Sequence, residues 1–386
     1  MIENAILWVP PAEFLQKPRR LGGLSILERQ LHTLSRAGLR RVWISTQTQG
    51  RTPQPLRLPP GLEIVWTDHA AEKPATPYLI VSGGHFLRTE TLSRIARLPL
   101  AGPIAFVDAG QSSVIQAITA PCEEASACRK QDLPEDSSWA IAGPTEDAAA
   151  LDWLMEVGIK SQDGFMARHF DRHISLAVSR TLLDTPVSPN MMTLFSCAVG
   201  LLGTFFFLIH REKAHLIGAA LVWLHSVLDG CDGELARIRF QESPWGAQID
   251  FWGDNVVHLS LFACLAVGFA RADASIVPLV GGAIAMVGVV GSAILVHNRR
   301  QTSPTQAAAA SPQGHPPWTR LVVLLEQRDF IYLLLFLAYL SWYYHSLRFT
   351  YAFMWAGVVG TFLFFTMINY IGRSNSEQEF QPDRAG

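Results

Sequence analysis

Residues 229–254 read DGCDGELARIRFQESPWGAQIDFWGD. Asp229, Asp232, Asp250 and Asp254 lie between two apolar runs, 214–228 and 255–270. Each run is the clean half of a segment long enough to cross a bilayer, and the aspartates occupy the other half. On a helix, Asp229, Asp232, Gly233, Ala236 and Arg237 fall at i, i+3, i+4, i+7 and i+8, which is one face. Gly246, Asp250 and Asp254 fall at i, i+4 and i+8, again one face. Two antiparallel helices with these faces opposed bring four carboxylates together. Without cations such a cluster is destabilised by mutual repulsion and poor solvation. Hard divalent cations resolve it, because carboxylate oxygens are their preferred ligands. Gly233, Ala236 and Gly246 lack bulk and permit close helix approach or backbone contact with a ligand. A metal cluster with room beside it at a membrane surface points to phosphate or pyrophosphate chemistry on a lipid-borne substrate.

Six spans are expected around this stretch: 190–210, 214–235, 247–271, 275–297, 330–347 and 350–372. An even number puts both termini on one side. The opening MIENAILWVPPAEF lacks the basic start and long apolar run of a secretory signal, so that side is expected to be the cytoplasm. Arg237, Arg239, Arg299, Arg300, Arg320, Arg328 and Arg373 then lie inside, and Arg211, Lys213, Arg271 and Arg348 outside, as the positive-inside rule asks. Residues 163–185 read as an amphipathic juxtamembrane helix, with Phe170, Ile174, Ala177 and Val178 on its apolar face and Arg168, Arg172 and Arg180 near headgroups. His225 and His258 read as packed polar residues rather than ligands.

Residues 1–160 have a different texture. AILWVP (5–10), RRVWIST (40–46), LEIVWTD (62–68), YLIVSGG (78–84) and PIAFVDA (103–109) read as buried strands. LSILERQLHTLSRAG (24–38), TLSRIARL (91–98) and TEDAAALDWLMEVG (145–158) read as helices, and 110–143 as irregular. The alternation predicts an α/β domain with a mostly parallel sheet, followed by an all-α six-helix transmembrane domain. The net charge of −2 and the 17% of charged residues supply no basic surface, so no nucleic-acid partner is expected. The five cysteines lack metal-ligand spacing and read as free thiols.

The stretch 229–254 fills every fixed position of Asp-x2-Asp-Gly-x2-Ala-Arg-x8-Gly-x3-Asp-x3-Asp, and so resembles the signature of the CDP-alcohol phosphotransferases. Pro189, Asn190 and Thr193 resemble that family's approach to its first span. The resemblance implies a metal-dependent transferase of phospholipid biosynthesis in the inner membrane, with both termini cytoplasmic. It would move a substituted phosphate from a CDP-linked donor, such as a CDP-diacylglycerol-like lipid, to an acceptor alcohol, with release of CMP. It implies Asp229, Asp232, Asp250 and Asp254 as ligands of Mg2+ or Mn2+, with Asp254 also the catalytic base. It implies Gly233, Ala236, Arg237, Gly246 and Thr193 as the donor-nucleotide surface, and a homodimer. Arg299, Arg300 and Arg328 are candidate acceptor-binding residues by membrane depth.

KPRRLGGLSILERQLHTLSRAG (17–38) and YLIVSGGHFL (78–87) resemble a nucleotidyltransferase domain. The order of the two halves is similar to fusions of an inositol-phosphate cytidylyltransferase with a di-inositol-phosphate-phosphate synthase. Two departures imply a degenerate domain without cytidylyl transfer. The loop after the first strand, VPPAEFLQ, has prolines instead of the glycines whose N–H groups cradle phosphates. Gly83-Gly84-His85 stands where the family carries a magnesium-binding aspartate. The expected organisation is 1–160 nucleotidyltransferase-like, 163–185 juxtamembrane, 186–373 transferase and 374–386 tail. Two alternatives stand beside the leading one: an enzyme resembling the di-inositol synthases and using CDP-inositol, and a divalent-cation transporter with the aspartates in its pathway.

Overall fold

The structure, a computed structural model, describes residues 2–8, 19–45, 57–67, 74–99, 102–119, 128–141, 144–157, 171–302, 332, 335–337, 348 and 350–360. The chain divides into two compact units. One is Met1–Gly158 with Ile238–Phe240, and the other is Ile159–Arg237 with Gln241–Gly386.

The strands of the first unit are β1 (Asn4–Trp8), β2 (Arg20–Leu21), β3 (Leu24–Ser25), β4 (Arg41–Ser45), β5 (Glu63–Thr67), β6 (Tyr78–Ser82), β7 (His85–Leu87), β8 (Ile104–Val107), β9 (Ser113–Ile118), β10 (Arg129–Asp132) and β11 (Ser138–Ala140). Its helices are α1 (Ile26–Arg36), α2 (Thr89–Arg97) and α3 (Asp147–Val157). Seven strands form one sheet in the order β10-β8-β9-β6-β1-β4-β5. All pairings in it are parallel except those of β9, which runs antiparallel between β6 and β8. The mostly parallel sheet is therefore as expected. Ala5 and Leu7 of β1 are fully buried beside Val42, Ile44 and Leu79, and Leu31 and Leu34 of α1 and Leu92 and Ile95 of α2 join the same core.

The region 110–143 departs from expectation, because it holds β9, β10 and β11. β10 is RKQD, exposed along its whole length at the sheet edge, so it carries no apolar alternation to read. β11 has only three residues and gains its partner, β7, from far away in sequence. α1 is shorter than its apolar pattern. Leu24 and Ser25 pair back on β2 through a Gly22-Gly23 turn with both φ positive, the conformation glycine adopts without strain. Ser25 then caps the helix reciprocally with Glu28.

The second unit contains α4 (Arg172–Leu182), α5 (Pro189–Phe205), α6 (Glu212–Ile238), α7 (Pro244–Asp273) and α8 (Val277–Thr302). Among the described residues four helices are long and apolar enough to cross a membrane: Pro189–Leu208, Glu212–Ile238, Pro244–Asp273 and Val277–Asn298. Their outer surfaces are apolar, with Phe195 57%, Leu202 54% and Val287 74% exposed, a pattern suited to lipid rather than water. The expected spans 330–347 and 350–372 fall largely outside the described residues, and 350–360 is helical. Phe207, Val222, Leu261, Phe262, Leu265 and Met354 form the packed interior of this unit. Ser188 and Ser243 cap α5 and α7, each followed by proline at the first helical position, where a missing N–H costs nothing.

α4 differs from the amphipathic expectation. Its buried residues are Arg172, Ser175 and Ser179, while Ile174 is 42% exposed. The reason is Glu234 of α6, itself 2% exposed. Its Oε1 accepts hydrogen bonds from Arg172 Nη1 at 2.5 Å and Ser175 Oγ at 2.6 Å, and its Oε2 accepts from Ser179 Oγ at 2.6 Å. Gly230 of α6 faces Ser175 of α4, where a Cβ would stand 3.4 Å from Ser175 Oγ. Arg172 is thus an internal counter-ion, not a headgroup contact. Residues 158–170 lie outside the described residues. Glu234→Ala strips the buried guanidinium of this carboxylate, a class of change that costs about 3–5 kcal/mol. The expected result is a lowered thermal midpoint in detergent, with most of the loss recovered in the Glu234→Met/Arg172→Met double variant. A single variant as stable as the parent would contradict this.

Candidate metal centre

The polar ends of α6 and α7 carry the aspartates. α6 continues past its apolar half without a break, so Asp229 and Asp232 stay in helical register up to Ile238. α7 restarts at Pro244, and the Ser243 hydroxyl accepts the N–H of Gly246 at 2.9 Å. That cap fixes the start of the helix about three turns before Asp254.

One carboxylate oxygen from each of Asp229, Asp250 and Asp254 lies within 4.8 Å of the others. Asp229 and Asp250 are partly buried, and Asp254 is 6% exposed. Asp232 stands outside this trio. It is 7% exposed, and its Oδ2 accepts a short hydrogen bond from the Thr193 hydroxyl of α5. The donor set is all oxygen and anionic, the chemistry that hard divalent cations select.

The small residues fit this arrangement. A Cβ on Gly233 would lie 2.9 Å from Arg237 Nη1, so the missing side chain is the space the guanidinium occupies. A Cβ on Gly246 would lie 2.9 Å from Asn190 Oδ1, which ties the start of α7 to the start of α5. Ala236 and Arg237 are half-buried. Arg299 and Arg300 fall in the last turn of α8, and Arg328 lies outside the described residues.

One residue expected only to pack lies at the centre. His225 is 1% exposed, with Nε2 3.6 Å from Asp254 Oδ1. The signal was available in its spacing, four residues before Asp229 on the same helical face. His258, one turn beyond Asp254, does pack as a polar core residue, its Nδ1 2.8 Å from the Tyr332 hydroxyl. Thr193 was likewise found, but its position against Asp232 depends on how α5 packs.

Residues 186–363 match the model of a family described as CDP-alcohol phosphatidyltransferase. A bifunctional IPC transferase and DIPP synthase of Rubrobacter xylanophilus is 41% identical over 126 residues, 32% of this chain and 28% of that one. The protein of the same name from Thermococcus kodakarensis is 36% identical over 124 residues, again 32% and 28% of the two chains. A CDP-diacylglycerol–serine O-phosphatidyltransferase of Mycobacterium leprae is 38% identical over 78 residues, 20% of this chain and 25% of that one. The chain thus spans less than a third of the length of these relatives. Residues 186–363 are thus similar to that family, and the part that matches contains the signature and its converging aspartates.

Proposed function

We propose that the chain is an integral membrane enzyme that transfers a substituted phosphate from a CDP-linked donor to the hydroxyl of an acceptor alcohol and releases CMP. The observation that supports it most is the approach of the Asp229, Asp250 and Asp254 oxygens to within 4.8 Å of one another, in helices otherwise apolar enough to span a bilayer. The leading reading takes a CDP-diacylglycerol-like lipid as donor, in line with the name of the mycobacterial relative. A second reading takes CDP-inositol and an inositol-phosphate acceptor. The longer matches to relatives named IPC transferase and DIPP synthase favour it, and Arg299, Arg300 and Arg328 would then hold the acceptor phosphate. In either reading the transferase domain occupies 186–373 with six spans. The nucleotidyltransferase-like 1–160, the juxtamembrane 163–185 and the tail 374–386 face the cytoplasm at the inner membrane, and the working form is a homodimer.

Asp229, Asp232, Asp250 and Asp254 would hold the cations, with Thr193 orienting Asp232 through its hydroxyl. Bound Mg2+ or Mn2+ would neutralise the pyrophosphate and polarise the attacked β-phosphorus. Arg237, in the space left by Gly233, donates hydrogen bonds to the donor phosphates. Gly246 and Ala236 leave the donor nucleotide room to lie against the helices. Asp254 accepts the acceptor's hydroxyl proton on a carboxylate oxygen as the new O–P bond forms and the bond to CMP breaks. His225 walls the buried side of that carboxylate and limits its rotamers.

Purified protein supplied with an acceptor alcohol and either CDP-diacylglycerol or CDP-inositol separates the readings by which donor yields CMP. Metal flux into liposomes with no CMP from either donor would overturn both in favour of a transporter. Asp254→Asn is expected to keep donor affinity and lower kcat by about 10²–10⁴-fold, the usual contribution of a general base; unchanged turnover would remove Asp254 from that role. Gly233→Ala pushes the flexible tip of Arg237 aside without disturbing backbone. It is expected to raise the donor KM about tenfold, the worth of one hydrogen bond to a charged group, with a smaller change in kcat. A variant with the parent's donor KM would contradict the placement of Arg237.

A further inference from the structure

The first unit holds a cluster that phosphate transfer does not use. Ser82 ends β6, His85 opens β7, and Asp108 follows β8. β6 and β8 both run antiparallel to β9, so Ser82 and Asp108 emerge at the same edge of the sheet, the carboxyl ends of its parallel strands. In open α/β sheets that edge is where ligands bind. Ser82 Oγ lies 3.2 Å from His85 Nδ1, and His85 Nε2 lies 3.2 Å from Asp108 Oδ2. The other carboxylate oxygen of Asp108 accepts the Ser112 N–H at 2.8 Å. The histidine is therefore held between a hydroxyl and an oriented carboxylate. Its side chain is 12% exposed and that of Asp108 is 19% exposed, which shields the relay yet leaves it reachable.

The turn that carries the relay is fixed on several sides. Gly83 N–H donates to Trp8 O at 2.7 Å, and Ile141 N–H donates to Gly84 O at 2.7 Å. The buried Gln30 amide of α1 donates to Gly83 O at 2.6 Å. Gly84 N–H donates a hydrogen bond to Ser82 Oγ at 3.3 Å, which holds that oxygen in place beside His85. Across the parallel pair, Ser82 is registered with Trp8, whose side chain is 52% exposed beside it. An exposed indole next to a polarised hydroxyl offers a flat apolar rest for a substrate.

We propose that Ser82, His85 and Asp108 form a second, nucleophilic site that hydrolyses carboxylic esters, with the apolar part of the ester against Trp8. Asp108 accepts the Nε2–H, which fixes the tautomer with a free lone pair on Nδ1. His85 Nδ1 takes the Ser82 proton as Oγ bonds the carbonyl carbon, and returns it to the departing alkoxide as the C–O bond breaks. Water then adds to the acyl group, giving its proton to Nδ1, and release of the carboxylic acid restores Ser82.

The test uses the full-length protein in detergent with a fluorophosphonate probe, followed by mass spectrometry of the peptide containing Ser82 and by p-nitrophenyl acetate hydrolysis. The expected result is an adduct on Ser82, absent in Ser82→Ala, with labelling and hydrolysis slowed at least tenfold in His85→Gln and Asp108→Asn. His85→Gln keeps a polar side chain in the turn and removes only the base. Absence of an adduct on Ser82 in the parent protein overturns the proposal, whatever the variants do. So does labelling of His85→Gln at the parent's rate, which would reduce the cluster to a hydrogen-bonded turn.

Discussion

Three carboxylate oxygens gathered within 4.8 Å in a largely apolar helical unit repel one another. At an effective dielectric of 20 each ionised pair at that distance costs on the order of 3–4 kcal/mol. The elements around the cluster hold that arrangement against the repulsion, which divalent cations would offset. α6 stays helical through its polar end, and α7 starts at a serine cap followed by proline. Glycines let side chains of neighbouring helices come close. A Cβ on Gly200 of α5 would lie 2.8 Å from both the His225 ring and Val257, and one on Gly253 would lie 2.5 Å from Cys197 Sγ. Thr193, on the same helix as Gly200, fixes the carboxylate of Asp232.

α6 does two jobs with opposite faces. His225, Asp229 and Asp232 turn toward the centre, while Gly230, Cys231 and Glu234 turn toward α4. Glu234 is deeper than any of the aspartates, yet its charge is matched inside the protein by Arg172 and two serine hydroxyls. The aspartates of the trio instead face one another, with His225 Nε2 3.6 Å from Asp254 Oδ1. That contrast separates a carboxylate held by the packing of α4 from a cluster of carboxylates of the kind a hard divalent cation would stabilise.

The parts legible in sequence were those where local spacing fixes geometry. Helical periodicity put Asp229 on one face and Asp250 and Asp254 on another, and the apolar runs located, among the described residues, four helices long and apolar enough to cross a membrane. The parallel strands β1, β4 and β6 could be read because their apolar runs supply the buried core of the sheet, and the edge strand β5 because it keeps an apolar run although none of its residues is fully buried. What escaped depended on distant partners. β10 is a strand only because it hydrogen-bonds to β8. Arg172 looked like a headgroup contact until Glu234, 62 residues away, claimed it. His225 was ambiguous alone and gains meaning only beside Asp254. The four aspartates looked equivalent by spacing, whereas the packing of α5 sets Asp232 apart.

The most direct test of the central claim is Mn2+ binding to the purified full-length protein, followed by electron paramagnetic resonance and by anomalous diffraction from Mn2+-soaked crystals. The account requires Mn2+ bounded by the Asp229, Asp250 and Asp254 carboxylates, displaced by Mg2+, and lost in Asp250→Asn. Manganese bound elsewhere on the chain, or binding undiminished in Asp250→Asn, would contradict it.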